Sequence, residues 1–156
     1  MTQPFREQPK RAKSLHMANK ILTAIVFVAY PALLLWLFFR MPQNLVRSIL
    51  VPLDGFIIVS VFRYLVNRKR PYEAFELAPL IPKDTSGKSF PSRHVFSAAI
   101  IAFTFLATPE MKVLGILLIF CTIAIAVIRV ISGVHYISDV IAAILIALAF
   151  SVVYWI

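Results

Sequence analysis

Two histidines and an aspartate stand among basic residues in a chain that is 60% hydrophobic. In "RVISGVHYISD", Arg129 to Asp139, His135 and Asp139 are four apart, which places them on one face of a helix. A carboxylate one turn beyond a histidine can hold the imidazole in one tautomer and stabilise its protonated form, making it a better nucleophile or base. A purely structural His–Asp pair has the same spacing. In "PSRH", Pro91 to His94, Ser92 is expected to cap the helix that follows. The first turn would then offer N–H groups and a dipole to an anion, with His94 in reach of a leaving-group oxygen. Read blandly, Ser92 only caps and His94 is an interfacial histidine. Arg63 and Arg70 are seven apart, nearly one helix face about 10 Å apart along the axis. Their forked donors suit phosphate oxygens, although a solvated basic helix end looks the same, and Pro71 makes Arg70 the helix exit. "SGKSF" is not a P-loop, because the glycine required five residues before Gly87 is Pro82.

The elements that position these groups are membrane spans. An uncharged run over 21–39 is close to the roughly 20 residues needed to cross a bilayer core. It is too long for a cleaved secretory core and is expected to be retained. Four further apolar segments, 45–66, 92–108, 111–131 and 137–156, predict an all-α polytopic transmembrane helix bundle of about five spans. Residues 1–20 form a basic N-terminal tail expected to lie on the membrane surface or be partly disordered, and 21–156 the transmembrane domain. The second span is interrupted by Arg47, Pro52, Asp54 and Gly55, which predict a shortened or kinked helix. Asp54 is read as a buried structural contact, Cys121 as a small buried hydrophobe and His16 as interfacial.

The net charge of +9 lies at span ends and in short loops, so anionic lipid is the expected partner rather than nucleic acid. Each crossing reverses sides, which brings Arg63, Arg68, Lys69, Arg70, Lys83, Lys88, Ser92, Arg93, His94, Arg129, His135 and Asp139 to, or within about two turns of, one face and leaves the other nearly bare. Ionisable groups at membrane depth cost on the order of 2.5–3.5 kcal/mol each, so they tend to line a cavity and carry function. Such a cluster suits a bound phosphate. His94, His135 and Asp139 are also metal-ligand types, but the arginines around them oppose a cation. The long 67–90 loop, with Pro71, Pro79, Pro82, Tyr72, Phe75, Leu77 and Leu80, either guides a lipid headgroup along the interface or merely connects.

Together these stretches resemble the type 2 phosphatidic acid phosphatase (PAP2) superfamily, whose signature is K-x6-R-P, P-S-G-H and S-R-x5-H-x3-D. Here the counterparts read "RYLVNRKRP" from Arg63, "PSRH" from Pro91 and "IRVISGVHYISD" from Ile128, in order and with matching spacings over about residues 56–150. The resemblance implies a lipid phosphatase that needs no metal or other cofactor and forms a phosphohistidine intermediate. Carried over by position, His135 is the nucleophile, Asp139 its orienting partner and His94 the general acid. Arg63, Arg70, Ser92 and Arg129, with N–H groups near Arg93, bind the phosphoryl oxygens. Arg63 replaces the family lysine, Arg93 the glycine and Ile128 the serine; the Arg93 side chain adds a phosphate contact or closes the pocket. Five spans here against the family's usual six leave one fewer ahead of the first motif.

The expected substrate is a lipid phosphate or diphosphate in the cell membrane. Phosphatidylglycerophosphate leads, with undecaprenyl diphosphate and phosphatidic acid as alternatives, because the motifs read only the phosphoryl group. A non-catalytic lipid-phosphate binder or transporter would use the same cleft without turnover, and the vanadate haloperoxidase branch does not suit so small a membrane chain. Leaving out the site's own arginines, Arg6, Lys10, Arg11, Lys13 and Lys20 share the site's face, against Arg40, Arg47 and Lys112 opposite. The positive-inside rule then makes the site face cytoplasmic, which favours a lipid phosphate made inside the cell.

Overall fold

In hydrocarbon a backbone must satisfy its own N–H and C=O groups, and long apolar runs therefore become helices. The computed structural model describes residues 9–76, 80 and 86–156, with side chains from residue 12 onward. All regular structure among them is helical: α1 (Pro9–Arg40), α2 (Pro42–Val66), α3 (Pro71–Ala74), α4 (Arg93–Leu106), α5 (Lys112–Ile131) and α6 (Ile137–Ser151). Short 3-10 turns at Pro109–Met111 and Val152–Trp155 precede α5 and follow α6. Pro42, Pro71 and Pro109 each open a helical segment, where a missing N–H costs nothing and φ is already set.

Among the described residues, four segments are long and apolar enough to cross a membrane: Ala12–Arg40, Pro42–Ala74, Pro109–Ile131 and Ile137–Trp155. The exception is α4, whose 14 residues reach only about 21 Å. It is the most enclosed element, with Val95, Phe96, Ala98, Ala99, Ile100 and Ala102 almost wholly buried. It packs most extensively against α5 and α6 and also touches α1 and α2. Protein rather than lipid surrounds it, so α4 need not match the bilayer thickness by itself. Small residues permit the close packing: a Cβ on Gly115 of α5 would lie 2.8 Å from the Leu106 backbone nitrogen, and one on Gly55 of α2 2.6 Å from Phe96.

The second span is not shortened, since α2 runs unbroken through Pro52. Pro52 cannot donate to the Ser48 carbonyl four residues back, and the Tyr30 hydroxyl of α1 donates to that carbonyl at 2.8 Å instead. The orphan acceptor is satisfied from a neighbouring helix, and α2 carries through its proline. Asp54 is exposed rather than buried: the inward stripe is Ser48, Val51, Pro52, Gly55, Val59 and Arg63, and Asp54 falls outside it. His16 is exposed, and Cys121 is half-buried against the core.

Residues 1–8 of the basic tail lie outside the described residues; from Pro9 the tail is helical and continuous with the first span. Its Leu15, Ala18 and Leu22 pack against Ile128 and Val134, so the start of α1 lies at the same end of the bundle as the turn between α5 and α6. In the 67–90 loop, Leu77, Pro79 and Pro82 lie outside the described residues. Two described positions of the loop are tied to that turn: Tyr72 N donates to Gly133 O at 3.2 Å and Leu80 N to Ser132 O at 3.3 Å.

Candidate active site

The C-terminal ends of α2 and α5 and the N-terminal ends of α4 and α6 meet at one end of the bundle. They enclose a cavity of about 290 Å³. Arg63 reaches it from α2, Arg93 and His94 from α4, Arg129 from α5, His135 from the turn before α6, and Arg70 and Lys88 from the 67–92 loop. Ser92 and Asp139 are fully buried and do not line it. Residues spread over more than seventy positions of sequence are thus gathered round one space.

His135 owes its position to the chain reversal at Ser132–Gly133. Gly133 sits at φ +69°, a region that suits glycine, and the N–H groups of Val134 and His135 both donate to Arg129 O, at 3.2 and 3.3 Å. One turn on, Asp139 Oδ2 lies 3.4 Å from His135 Nδ1. The carboxylate side therefore selects the Nδ1–H tautomer and leaves Nε2 for the cavity. His135 stands outside the spans, in the turn. Burial pushes its pKa down to about 4, Arg70 and Arg63 push the same way, and Asp139 opposes them. The ring is neutral at pH 7, with an unprotonated nitrogen available to attack.

Three arginines are buried here without a carboxylate against their side chains among the described residues. Arg63 Nη1 donates to Pro91 O at 2.8 Å; Arg70 donates through Nε to Gly87 O at 2.9 Å and through Nη1 to Val134 O at 3.4 Å. Carbonyls orient these guanidinium groups and leave their charge in place. The Arg129 Nε is buried with no partner among the described residues. Buried cations so arranged call for an anion between them.

Ser92 departs from expectation. It stands at the N-cap of α4 with ψ 106°, yet its side chain makes no capping bond and its Oγ is buried without a partner among the described residues. Its backbone N–H donates instead to Asp139 O at 3.0 Å, which ties the starts of α4 and α6 together. The hydroxyl is thus left buried at this helix N-terminus, outside the cavity lining.

Several contributors escaped the sequence motifs. Ser89 Oγ donates to Asp139 Oδ2 at 2.5 Å, and Arg68 Nη1 to Asp139 Oδ1 at 2.9 Å. Arg68 also lies over the Tyr136 ring, 4.0 Å from its centroid. Glu73 accepts from Arg70 N, Ser86 Oγ and Gly87 N at 2.6 to 3.0 Å, fastening the loop that carries Lys88 and Ser89. Alternation of the spans put Arg68 on the site face without a role, and no periodicity links positions 73 and 89 to 139. As for a metal, no group of three His, Cys, Asp or Glu side chains converges among the described residues.

The chain matches the family model of the PAP2 superfamily over residues 44–156. No curated protein sequence matches. Among solved structures it is similar to LpxE from Aquifex aeolicus, at a TM-score of 0.72 and 25% identity over 90% of this chain and 85% of that one. It shares its fold with a transmembrane PAP2 type phosphatidylglycerolphosphate phosphatase from Bacillus subtilis, at a TM-score of 0.65 and 20% identity over 99% of this chain and 86% of that one. The family match begins in the first turn of α2 and runs through every element that lines the cavity, and this membrane chain therefore belongs to the PAP2 superfamily.

Proposed function

We propose that the chain is an integral membrane phosphatase acting on a lipid phosphate or diphosphate through a phosphohistidine. The observation that carries this reading is the buried His135, 3.4 Å from Asp139 at Nδ1 and faced by arginines with no carboxylate against their side chains among the described residues. His135 Nε2 attacks phosphorus. The bond from phosphorus to the leaving oxygen breaks, and that oxygen takes a proton from His94. Water, deprotonated by His94, then attacks the phosphohistidine, so that inorganic phosphate leaves and His135 regains its lone pair. Arg63, Arg70, Arg129, the Ser92 hydroxyl and the α4 N–H groups around Arg93 hold the phosphoryl oxygens as charge shifts onto them.

His135→Ala is expected to abolish phosphate release from a protein that still folds, and His94→Ala to lower it by about 10²–10⁴-fold, most for an alkoxide leaving group. Full activity in either purified variant would sink the mechanism. Binding of lipid phosphate with no release by the wild type would instead favour a transporter or binding protein.

No metal takes part in this scheme. Turnover is expected to persist in excess EDTA, with inhibition by vanadate, which mimics a five-coordinate phosphoryl group on His135. Activity lost to chelation and restored by a divalent ion would replace the scheme with a metal site. For the substrate, phosphatidylglycerophosphate leads, because the basic residues beside the site end argue for a cytoplasmic face. Phosphate release from phosphatidylglycerophosphate, undecaprenyl diphosphate and phosphatidic acid, measured side by side, decides among the three.

A further inference from the structure

The cationic cavity does not end at the helix tips. Along α2 its lining runs from Arg63 to Ser60, and four residues deeper Phe56 belongs to a second, apolar groove of about 360 Å³ between α1, α2 and α4. Along α4 the same passage occurs within one turn, since Arg93 lines the cavity and Ser97 the groove. Arg93 marks the boundary: its guanidinium carbon lies 5.5 Å from the centroid of the Phe56 ring. Phe56 precedes Arg63 by seven residues, which sets it about 10 Å further from the solvent end of α2. Lys88, over the Tyr64 ring at 4.9 Å, marks the opposite, solvent side of the cavity. Neither Lys88 nor Arg93 has a carboxylate within ion-pair distance among the described residues.

Arg93 stands between the cavity it lines and Phe56, a wall of the groove, so a lipid whose terminal phosphoryl group lies among Arg63, Arg70 and Arg129 and whose tail lies along that groove passes Arg93. We propose that Arg93 is a specificity-determining contact for a second phosphoryl group, one placed between the apolar tail and the phosphoryl group that reacts. The substrate class is then a lipid carrying two phosphates in series, as a diphosphate or as a phosphodiester bearing a terminal phosphomonoester. A lipid with a single phosphate presents nothing anionic at that depth. This inference rests on the lipid-phosphatase reading above, and its test is separable from it.

The test uses the full chain in detergent mixed micelles with two matched pairs: an alkyl diphosphate against the alkyl monophosphate of the same chain, and phosphatidylglycerophosphate against phosphatidic acid. The quantity read is the ratio of kcat/KM, two-phosphate over one-phosphate substrate, within each pair. Arg93→Met is expected to lower that ratio roughly 10- to 100-fold in at least one pair, the span of one hydrogen bond to a charged group. Arg93→Lys should keep part of it, and Lys88→Met should slow both members of a pair alike. Arg93 is exposed, so the variants should unfold at the wild-type temperature, which the same preparations check. A ratio unmoved by Arg93→Met in both pairs, or moved equally by Lys88→Met, overturns the proposal. Binding of the four lipids to His135→Ala, with and without Arg93→Met, reads the same ratio without turnover. If wild-type chain releases phosphate from none of the four, the catalytic reading falls, and the binding ratio still decides on Arg93.

Discussion

Asp139 engages four groups through two oxygens: Arg68 at Oδ1, and His135 Nδ1, Ser89 Oγ and the Tyr136 N–H at Oδ2. Each contact restricts the carboxylate, which in turn restricts the ring that attacks. Ser89→Ala or Arg68→Met is therefore expected to lower kcat about 10- to 100-fold with little change in KM, the loss of one charge-assisted bond expressed in the transition state. Arg68→Lys should recover part of the loss. A fall in KM-dependent binding alone, with kcat intact, would show that neither side chain positions His135. The protonation of His135 makes a second expectation at this scale. Its native pKa of about 4 lies below the ordinary 6.5, so between those values the unfolded chain binds a proton that the native chain refuses. Stability conferred by the neutral ring is complete above pH 6.5 and is lost as pH falls toward 4, by on the order of 3 kcal/mol. Denaturant unfolding in detergent between pH 7.5 and 4 should show this slope in the wild type and a shallower one in His135→Asn.

At the scale of elements, α2 depends on a hydrogen bond that its own sequence cannot supply. The Ser48 carbonyl faces Pro52, and Tyr30 of α1 provides the donor. Tyr30→Phe should destabilise the bundle by about 1–3 kcal/mol, the penalty of a buried acceptor left unpaired. Pro52→Ala restores an N–H within α2, so adding Tyr30→Phe to it should cost much less. Equal losses on both backgrounds, read by thermal unfolding, would mean that Tyr30 contributes through packing instead. The same logic explains the short α4: its ends are held by neighbours, at the start through the Ser92 N–H bond to Asp139 O, and near its last turn through Thr104 Oγ1 and Tyr154 Oη at 2.9 Å.

For the whole molecule, the question is which face the site opens to. The start of α1 and the cavity share an end of the bundle, because Leu15 and Ala18 pack against Ile128 and Val134 beside His135. The start of α1, with Lys13, therefore lies at the site end, and the proposed cytoplasmic site follows if the positive-inside rule governs this chain. With Cys121→Ser removing the native thiol, a single Ser86→Cys at the exposed edge of the cavity reports the orientation. An impermeant thiol reagent should label it only after lysis. Labelling of intact cells would place the cavity outside and return undecaprenyl diphosphate to the head of the candidate substrates.

Spacing alone was enough for the helices and for the residues that meet along one helix or at successive span ends. Spacing put Asp139 within reach of His135, although His135 stands in the turn before α6 and not on the helix face that a 3.6-residue period predicts, and Arg63, Arg129 and His94 share an end because each apolar run reverses the chain. Local pattern also marked Pro52 and Asp54 as trouble for α2, but it could not show that Tyr30 repairs the first or that Asp54 points outward. The same limit applies at the site. Ser92 read as a cap because the residues after it are helical; that its hydroxyl makes no capping bond emerges only in the packed bundle, where the Asp139 carbonyl of α6 accepts from the Ser92 backbone. Arg68, Glu73 and Ser89 belong to a loop without periodicity, and their partners are set by how that loop folds back over the turn at Gly133. Periodicity along one chain encodes contacts at three and four residues; contacts between distant segments exist only once the helices have packed, and those are what the tertiary structure decided.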